Sequence, residues 1–521
     1  MTSIKSKSLI AIAIALILCM SSSAFACTAI YVGSGLTVDG STMFARSEDI
    51  SNSYNKLFYF SPAGNHKAGE VYNGCYGFTY TFTKDSYSYT AFSDDNGAAV
   101  ENECPDCGGT HAHTPYEAAG TNEMGLTVTA TETLSAGKAV SEVDPKNRET
   151  GIEEAEIPTV LLSECATAKE AVALLLNIYD TVGCQGGSGI FIADNTESWY
   201  IENVTGTQYI ALKLNANVAF AVPNQSVIGL IDLDDTENVI ASANLIAVAK
   251  EAGTYVGDET ANTIDFVASY NPDQAANSRM ISALKHFNAA ASDAPANSDY
   301  TVSNVDAEGN IVPLYSNITP DRAFSIEDMV GYYDIAGIGS TSNLEIHIFQ
   351  IFEEDSLTDT VEWVALDHGC YNVFVPYFPM LTTDTYAGYQ LSTLPSTFTQ
   401  EQPTEGLYYA TTGRIRNEKG ERVTVDGFKV LPENWADSYY WTFDALSNLA
   451  ASGALTEEQI ASVEAELAEL QADAYAAYDK LAIAAFEADD AAAAAAAATQ
   501  ISMETAAKVH AAVVELVNSV R

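Results

Sequence analysis

Residues 24–49 read AFACTAIYVGSGLTVDGSTMFARSED. Upstream, Lys5 and Lys7 precede an apolar run from Leu9 to Met20, and Ala24 and Ala26 supply the small residues that a signal peptidase needs. The run is too short to span a bilayer, so residues 1–26 are expected to be an export signal removed after Ala26. That cut makes Cys27 the leading residue. Its thiol, with an ordinary pKa of about 8.5, then shares one residue with an α-amine of pKa about 7.7–8.0, so the nucleophile carries its own base. The competing readings are an ordinary cysteine near a cleavage site, or a lipid-modified one. Against the lipid reading, Phe25 fits poorly at a position that lipoprotein boxes fill with a small residue, and Ala24 stands where they carry Leu.

Downstream of Cys27 the chain reads as a hairpin. Strands Cys27 to Val32 and Thr42 to Arg46 flank a turn with Gly33, Gly35 and Asp39-Gly40 as turn residues. A hairpin carries Arg46 and Asp49 back alongside Cys27. The bland alternative for those two is a surface ion pair.

The whole chain has 521 residues and a formal net charge of −47, and loss of residues 1–26 makes it more negative by two. Such acidity disfavours nucleic acid and anionic membrane as partners, since both would be repelled. No later stretch is long and apolar enough to anchor the chain in a membrane, so a soluble exported protein is expected. With Cys27 set apart, Cys75, Cys104, Cys107, Cys165, Cys184 and Cys370 form an even set that would suit disulfides in an oxidising compartment. Cys104 and Cys107 precede His111 and His113, so zinc, a local cystine and free thiols all remain open there. The separation of the pairs is shorter than in zinc fingers.

Further along, Gly120 to Thr133 turns at Asn122-Glu123 and continues as an alternating strand through Leu126, Val128 and Ala130. Thr159 to Asp180 is expected to carry a helix, with Thr167 and Glu170 as a capping box. Strands follow at Gly189 to Ala193, Ser198 to Glu202 and Gln208 to Leu214. The run Ala219 to Ser226 ends a strand at Asn224-Gln225, and Asn277 to Phe287 opens a helix bearing Arg279. Ser342 to Gln350 alternates as a central strand, half-buried, on which His347 is expected to be a satisfied histidine rather than a catalytic one. Helices alternating with antiparallel strands fit two sheets packed face to face under helical layers. From Thr456 the chain is Ala- and Glu-rich with apolar stripes, Thr456 and Gln459 forming a second capping box. A helical hairpin packed on the main domain, or a dimer interface, fits that pattern.

The run CTAIYVGSG, the turn, then STMFARSED resembles the start of the secreted cysteine dipeptidases related to choloylglycine hydrolases and penicillin V acylases. The likeness extends with gaps to about residue 400. It implies an α+β fold, the four-layer αββα sandwich of N-terminal-nucleophile hydrolases, with residues 1–26 a signal peptide, 27–430 catalytic and 431–521 a C-terminal helical extension. In that family's pattern Cys27 is the nucleophile, Arg46 sits near its sulfur and Asp49 orients the α-amine. Asn224 and the backbone N–H of Glu132 face the oxyanion, and Arg279 completes the charge balance or binds substrate. The implied activity is hydrolysis of small peptides, with no cofactor and no metal. N-acyl amide hydrolysis and a non-catalytic acidic binding protein are the rivals, and homo-oligomerisation is left open.

Overall fold

A computed structural model describes residues 27–50, 55–74, 77–95, 116–132, 134–275, 277–287, 314–315, 317–335, 337–354, 356–416 and 422–521. Residues 1–26, expected to be an export signal, Cys75, and the Cys104, Cys107, His111 and His113 cluster lie outside the described residues.

The expected hairpin is present as strands Thr28–Val32 and Thr42–Asp49, with Ala29 opposite Arg46. Gly40 turns at φ 77°, a region open to glycine, and Asp39 Oδ1 accepts from the Ser41 backbone N–H at 3.0 Å. This hairpin is the middle of a six-stranded antiparallel sheet. Ala219–Val222 pairs on one side, and Asn343–Ile351, Thr360–Leu366 and Val375–Tyr377 follow on the other. A second antiparallel sheet has eight strands. In spatial order they are Val239–Ala241, Tyr209–Leu214, Ser198–Asn203, Ser188–Ala193, Thr127–Glu132, Glu117–Thr121, Tyr89–Asp94 and Lys56–Ser61.

The two sheets face each other across an aromatic core. Phe44 of the first lies 5.7 Å, centroid to centroid, from Phe191 of the second, and Tyr31 stacks on Phe191 at 6.1 Å. The outer face of the second sheet is covered by helices Ile157–Glu164 and Ala168–Thr181. The outer face of the first is covered by Ser278–Phe287, Ile326–Tyr332 and the long helices Glu457–Glu487 and Ala491–Val520. The layer order is therefore αββα, as the resemblance implied.

Two local expectations change. The single helix expected over Thr159 to Asp180 is two helices, because Cys165 is extended (φ −109°, ψ 141°) and Thr167 starts afresh by accepting the Glu170 N–H at 3.2 Å. The disulfide expectation also fails in part. Cys165, Cys184 and Cys370 are free thiols, as is Cys27. Cys184 instead donates to carbonyl oxygens, Gly186 at 2.8 Å and Thr205 at 2.8 Å among them.

Candidate active site

Side chains alternate faces along a strand, and this sorts the site. In Thr28–Val32, Ala29 and Tyr31 point between the sheets while Ile30 and Val32 point outward. In Thr42–Asp49, Phe44 points inward and Met43 and Ala45 outward. The same parity sends Arg46 and Glu48 inward and Asp49 outward. Arg46 and Asp49 thus flank Cys27 from opposite faces of one sheet and are not partners of each other.

On the inner face, Arg46 is 1 % exposed and Cys27 is 7 % exposed. Arg46 Nη2 approaches Cys27 Sγ at 3.6 Å and donates to Glu154 Oε1 at 2.6 Å. Glu48 at 4.0 Å and Glu345 at 3.8 Å complete its carboxylate neighbours. Lys56, fully buried, pairs with Glu48 at 2.8 Å and with Asp94. Burial opposes the Lys56 charge, but Asp94 and Glu48 outweigh it and hold the ammonium protonated well above its ordinary range. His347 is a satisfied buried histidine, bonded to Glu345 at 2.8 Å and to Thr129 of the opposite sheet at 2.9 Å.

On the outer face, Asp49 accepts from Asn343 Nδ2 at 2.5 Å. Burial pushes its carboxyl up to about 6, against the hydrogen bonds of Asn343 and Ser47 and the charges of Arg279 and Arg46. Arg279, on the helix Ser278–Phe287, donates to the Cys27 carbonyl and the Thr28 hydroxyl through Nη1, and to Asn224 Oδ1 at 2.6 Å through Nη2. Asn224 stands at φ 53°, a left-handed conformation that asparagine tolerates better than most residues. Cys27, Arg46, Asp49, Asn224 and Arg279 therefore meet in one place. Glu132 ends a strand of the facing sheet, in register with Ser188.

The thiol itself is pushed towards its neutral form. Burial raises the Cys27 pKa; Arg46 works against this, while Glu154, Asp49 and Glu48 add to it.

The sequence model of peptidase family C69 matches residues 26–411, beginning one residue before this cysteine. The chain belongs to peptidase family C69. It is a hydrolase of that family. This C69 peptidase is 32 % identical over 312 residues to a "Probable dipeptidase B" of Streptococcus pyogenes serotype M18, covering 59 % of this chain and 56 % of that protein. It is 28 % identical over 478 residues to the protein of the same name from serotype M3 (strain ATCC BAA-595 / MGAS315), covering 83 % and 87 %. A "Probable dipeptidase" of Salmonella dublin is 32 % identical over 248 residues, covering 48 % and 54 %. Among solved structures, penicillin V acylase from Agrobacterium tumefaciens is similar at 14 % identity and a TM-score of 0.30, covering 67 % of this chain and 85 % of that one.

Several residues of the C69 site carry no sequence signal of their own. Glu154 reaches Arg46 from far along the chain, on the turn Glu154–Glu156 that Glu153 caps. Lys56, Asp94 and Glu345 are ordinary charged residues until the two sheets close on them. Glu345 alone could have been found, since it shares the inward parity of His347 on a strand that the alternation already marks.

Proposed function

We propose that this C69 peptidase is an exported cysteine dipeptidase. In this reading residues 1–26 are removed, and Cys27 attacks the peptide carbonyl through its thiol while its own α-amine takes and returns the proton. Arg46 stabilises the thiolate that forms, and Asp49 orients the amine from the other face. Asn224 donates its amide N–H to the tetrahedral oxyanion, with the backbone N–H of Glu132 as second donor.

The observation that carries the reading is the placement of Cys27 between Arg46 and Arg279. One guanidinium is 3.6 Å from the sulfur, and the other holds both the Cys27 carbonyl and the Asn224 side chain. A non-catalytic binding protein has no use for that convergence. The relatives named dipeptidases favour peptides over N-acyl amides.

The test is a parallel assay of the secreted protein on unblocked dipeptides, N-acetylated dipeptides and N-acyl amides, with Cys27→Ala as control. Cleavage of unblocked dipeptides alone, abolished in the control, is expected. Turnover that survives Cys27→Ala would remove the mechanism, and preference for the acylated compounds would make it an acylase.

A further inference from the structure

Arg46 can serve Cys27 only if its guanidinium is kept against the sulfur, and the hairpin alone does not do this. Strand parity merely sends the side chain into the space between the sheets. What fixes it there is Glu154, whose Oε1 accepts from Nη2 at 2.6 Å, the same nitrogen that approaches Sγ at 3.6 Å. The other carboxylates near Arg46 stand farther off, Glu345 at 3.8 Å and Glu48 at 4.0 Å.

Glu154 is itself held rigidly. Glu153 caps the turn Glu154–Glu156 with a reciprocal capping box, the Glu153 N–H donating to Glu156 at 2.7 Å, and Glu154 and Glu156 are both buried. Gly74 lies so close that an added Cβ would come within 2.5 Å of the Glu156 carboxylate. A carboxylate on such a turn lies where the turn puts it.

We propose that Glu154 is a positioning residue of this peptidase, bracing Arg46 over the Cys27 sulfur and setting how readily that thiol ionises. The inference rests on Cys27 being the nucleophile. Two effects of opposite sign are built into one side chain. By holding Arg46 in place, Glu154 keeps a cation where the thiolate forms. By its own charge it opposes that thiolate, together with Asp49 and Glu48. The remaining charged groups at the site are Glu345, Lys56 and Asp94 behind Arg46, and Arg279 at the Cys27 carbonyl.

The two effects separate with two substitutions. Glu154→Gln keeps an oxygen for Arg46 and removes the charge, whereas Glu154→Ala removes both. The readout is the pH dependence of Cys27 alkylation by iodoacetamide in the full chain, followed by mass spectrometry of the Cys27 peptide so that the other thiols do not interfere. In Glu154→Gln the midpoint should fall by about one pH unit, a tenfold gain in thiolate at fixed pH. In Glu154→Ala, kcat on a cleaved peptide should fall about tenfold or more with KM little changed, and Glu154→Gln should restore most of it. A midpoint that stays put or rises in Glu154→Gln overturns the proposal. So does an equal loss of kcat in both variants that tracks their melting temperatures. If alkylation responds as stated but no peptide is cleaved, Glu154 keeps its role and the dipeptidase reading fails instead.

Discussion

Arg279 Nη2 donates to the side-chain oxygen of Asn224 at 2.6 Å, and its other terminal nitrogen reaches the carbonyl of Cys27. One guanidinium thus ties the residue proposed to receive the oxyanion to the residue proposed to attack. It also turns the Asn224 amide so that its oxygen faces the arginine and its nitrogen faces away, the orientation an oxyanion donor needs.

Asn224→Ala is therefore expected to lower kcat about a hundredfold or more while leaving KM nearly unchanged. Arg279→Lys should reproduce a large part of that loss, because a single ammonium cannot reach both partners as the planar fork does. Steady-state kinetics on one dipeptide decide this. A change confined to KM would place Asn224 in substrate binding rather than in the oxyanion site.

The state of the Cys27 nitrogen yields a second prediction. In the uncut chain that nitrogen is an amide, and burial together with Glu154, Asp49 and Glu48 pushes the thiol pKa up, with Arg46 working against them. Trimming to Cys27 places an ammonium beside the sulfur, which favours the thiolate. The pH midpoint for thiol modification should be lower in the trimmed protein than in the uncut one by about one unit or more. N-acetylation of the trimmed protein should restore the higher midpoint and abolish turnover. Equal midpoints in all three forms would remove the amine from the mechanism.

The parts of this site that were legible are those that strand chemistry writes locally. Turn residues at Asp39-Gly40 and the return of Arg46 along the second strand both follow from short-range rules. The strand to Ile351 and the helix from Ser278 were legible for the same reason. The spacing of Arg46 and Asp49 invited a mutual ion pair, yet three residues on a strand put side chains on opposite faces, a reading that strand parity alone would have supplied. Glu154, Lys56 and Asp94 could not be found this way. Their role comes from the packing of two sheets, and nothing in their own neighbourhood marks a charged residue that will be buried. The free thiols were missed because an even cysteine count constrains pairing only if all of them pair; Cys165 and Cys184 are buried small groups instead.

Asp49 gives the pH dependence a definite sign. Its carboxyl titrates near about 6 in the folded chain, chiefly because burial penalises the charge, against about 3.9 when unfolded. The folded state therefore takes up this proton at higher pH than the unfolded state. Ionised Asp49 destabilises the fold above about pH 6, and the penalty is relieved as pH falls from about 6 towards about 4. Asp49→Asn should melt at a higher temperature than the parent at pH 8, with the difference vanishing near pH 4. The parent should also lose activity on the acid side around pH 6, as the carboxylate that orients the amine is neutralised, and the residual rate of Asp49→Asn should lack that limb. A variant less stable than the parent at pH 8 would show that Asp49 is not held against a burial penalty.

The helical hairpin at the end of the chain is expected to be part of the sandwich rather than a detachable arm. Its first helix, Glu457–Glu487, lays Tyr475 and Tyr478 against Trp363 of the first sheet at 5.6 and 5.7 Å between ring centroids. Gln471 accepts from the Phe374 N–H at 2.8 Å and donates to the Phe374 carbonyl at 3.3 Å, serving the backbone just ahead of the edge strand Val375–Tyr377. From the second helix, Ala491–Val520, Ser502 donates to the Pro376 carbonyl at 2.8 Å. Removing residues 456–521 would uncover Trp363, Phe374 and Phe378, each contributing about 1.5–3 kcal/mol of burial, in a fold whose whole stability is of the order of 5–15 kcal/mol. The truncated chain should therefore be insoluble, or bind a hydrophobic dye and lose its sharp melting transition, while the full chain melts in one step. A soluble, active protein ending at Leu455 would instead show that the first sheet keeps its outer face without the hairpin, and that the catalytic layers fold independently of it.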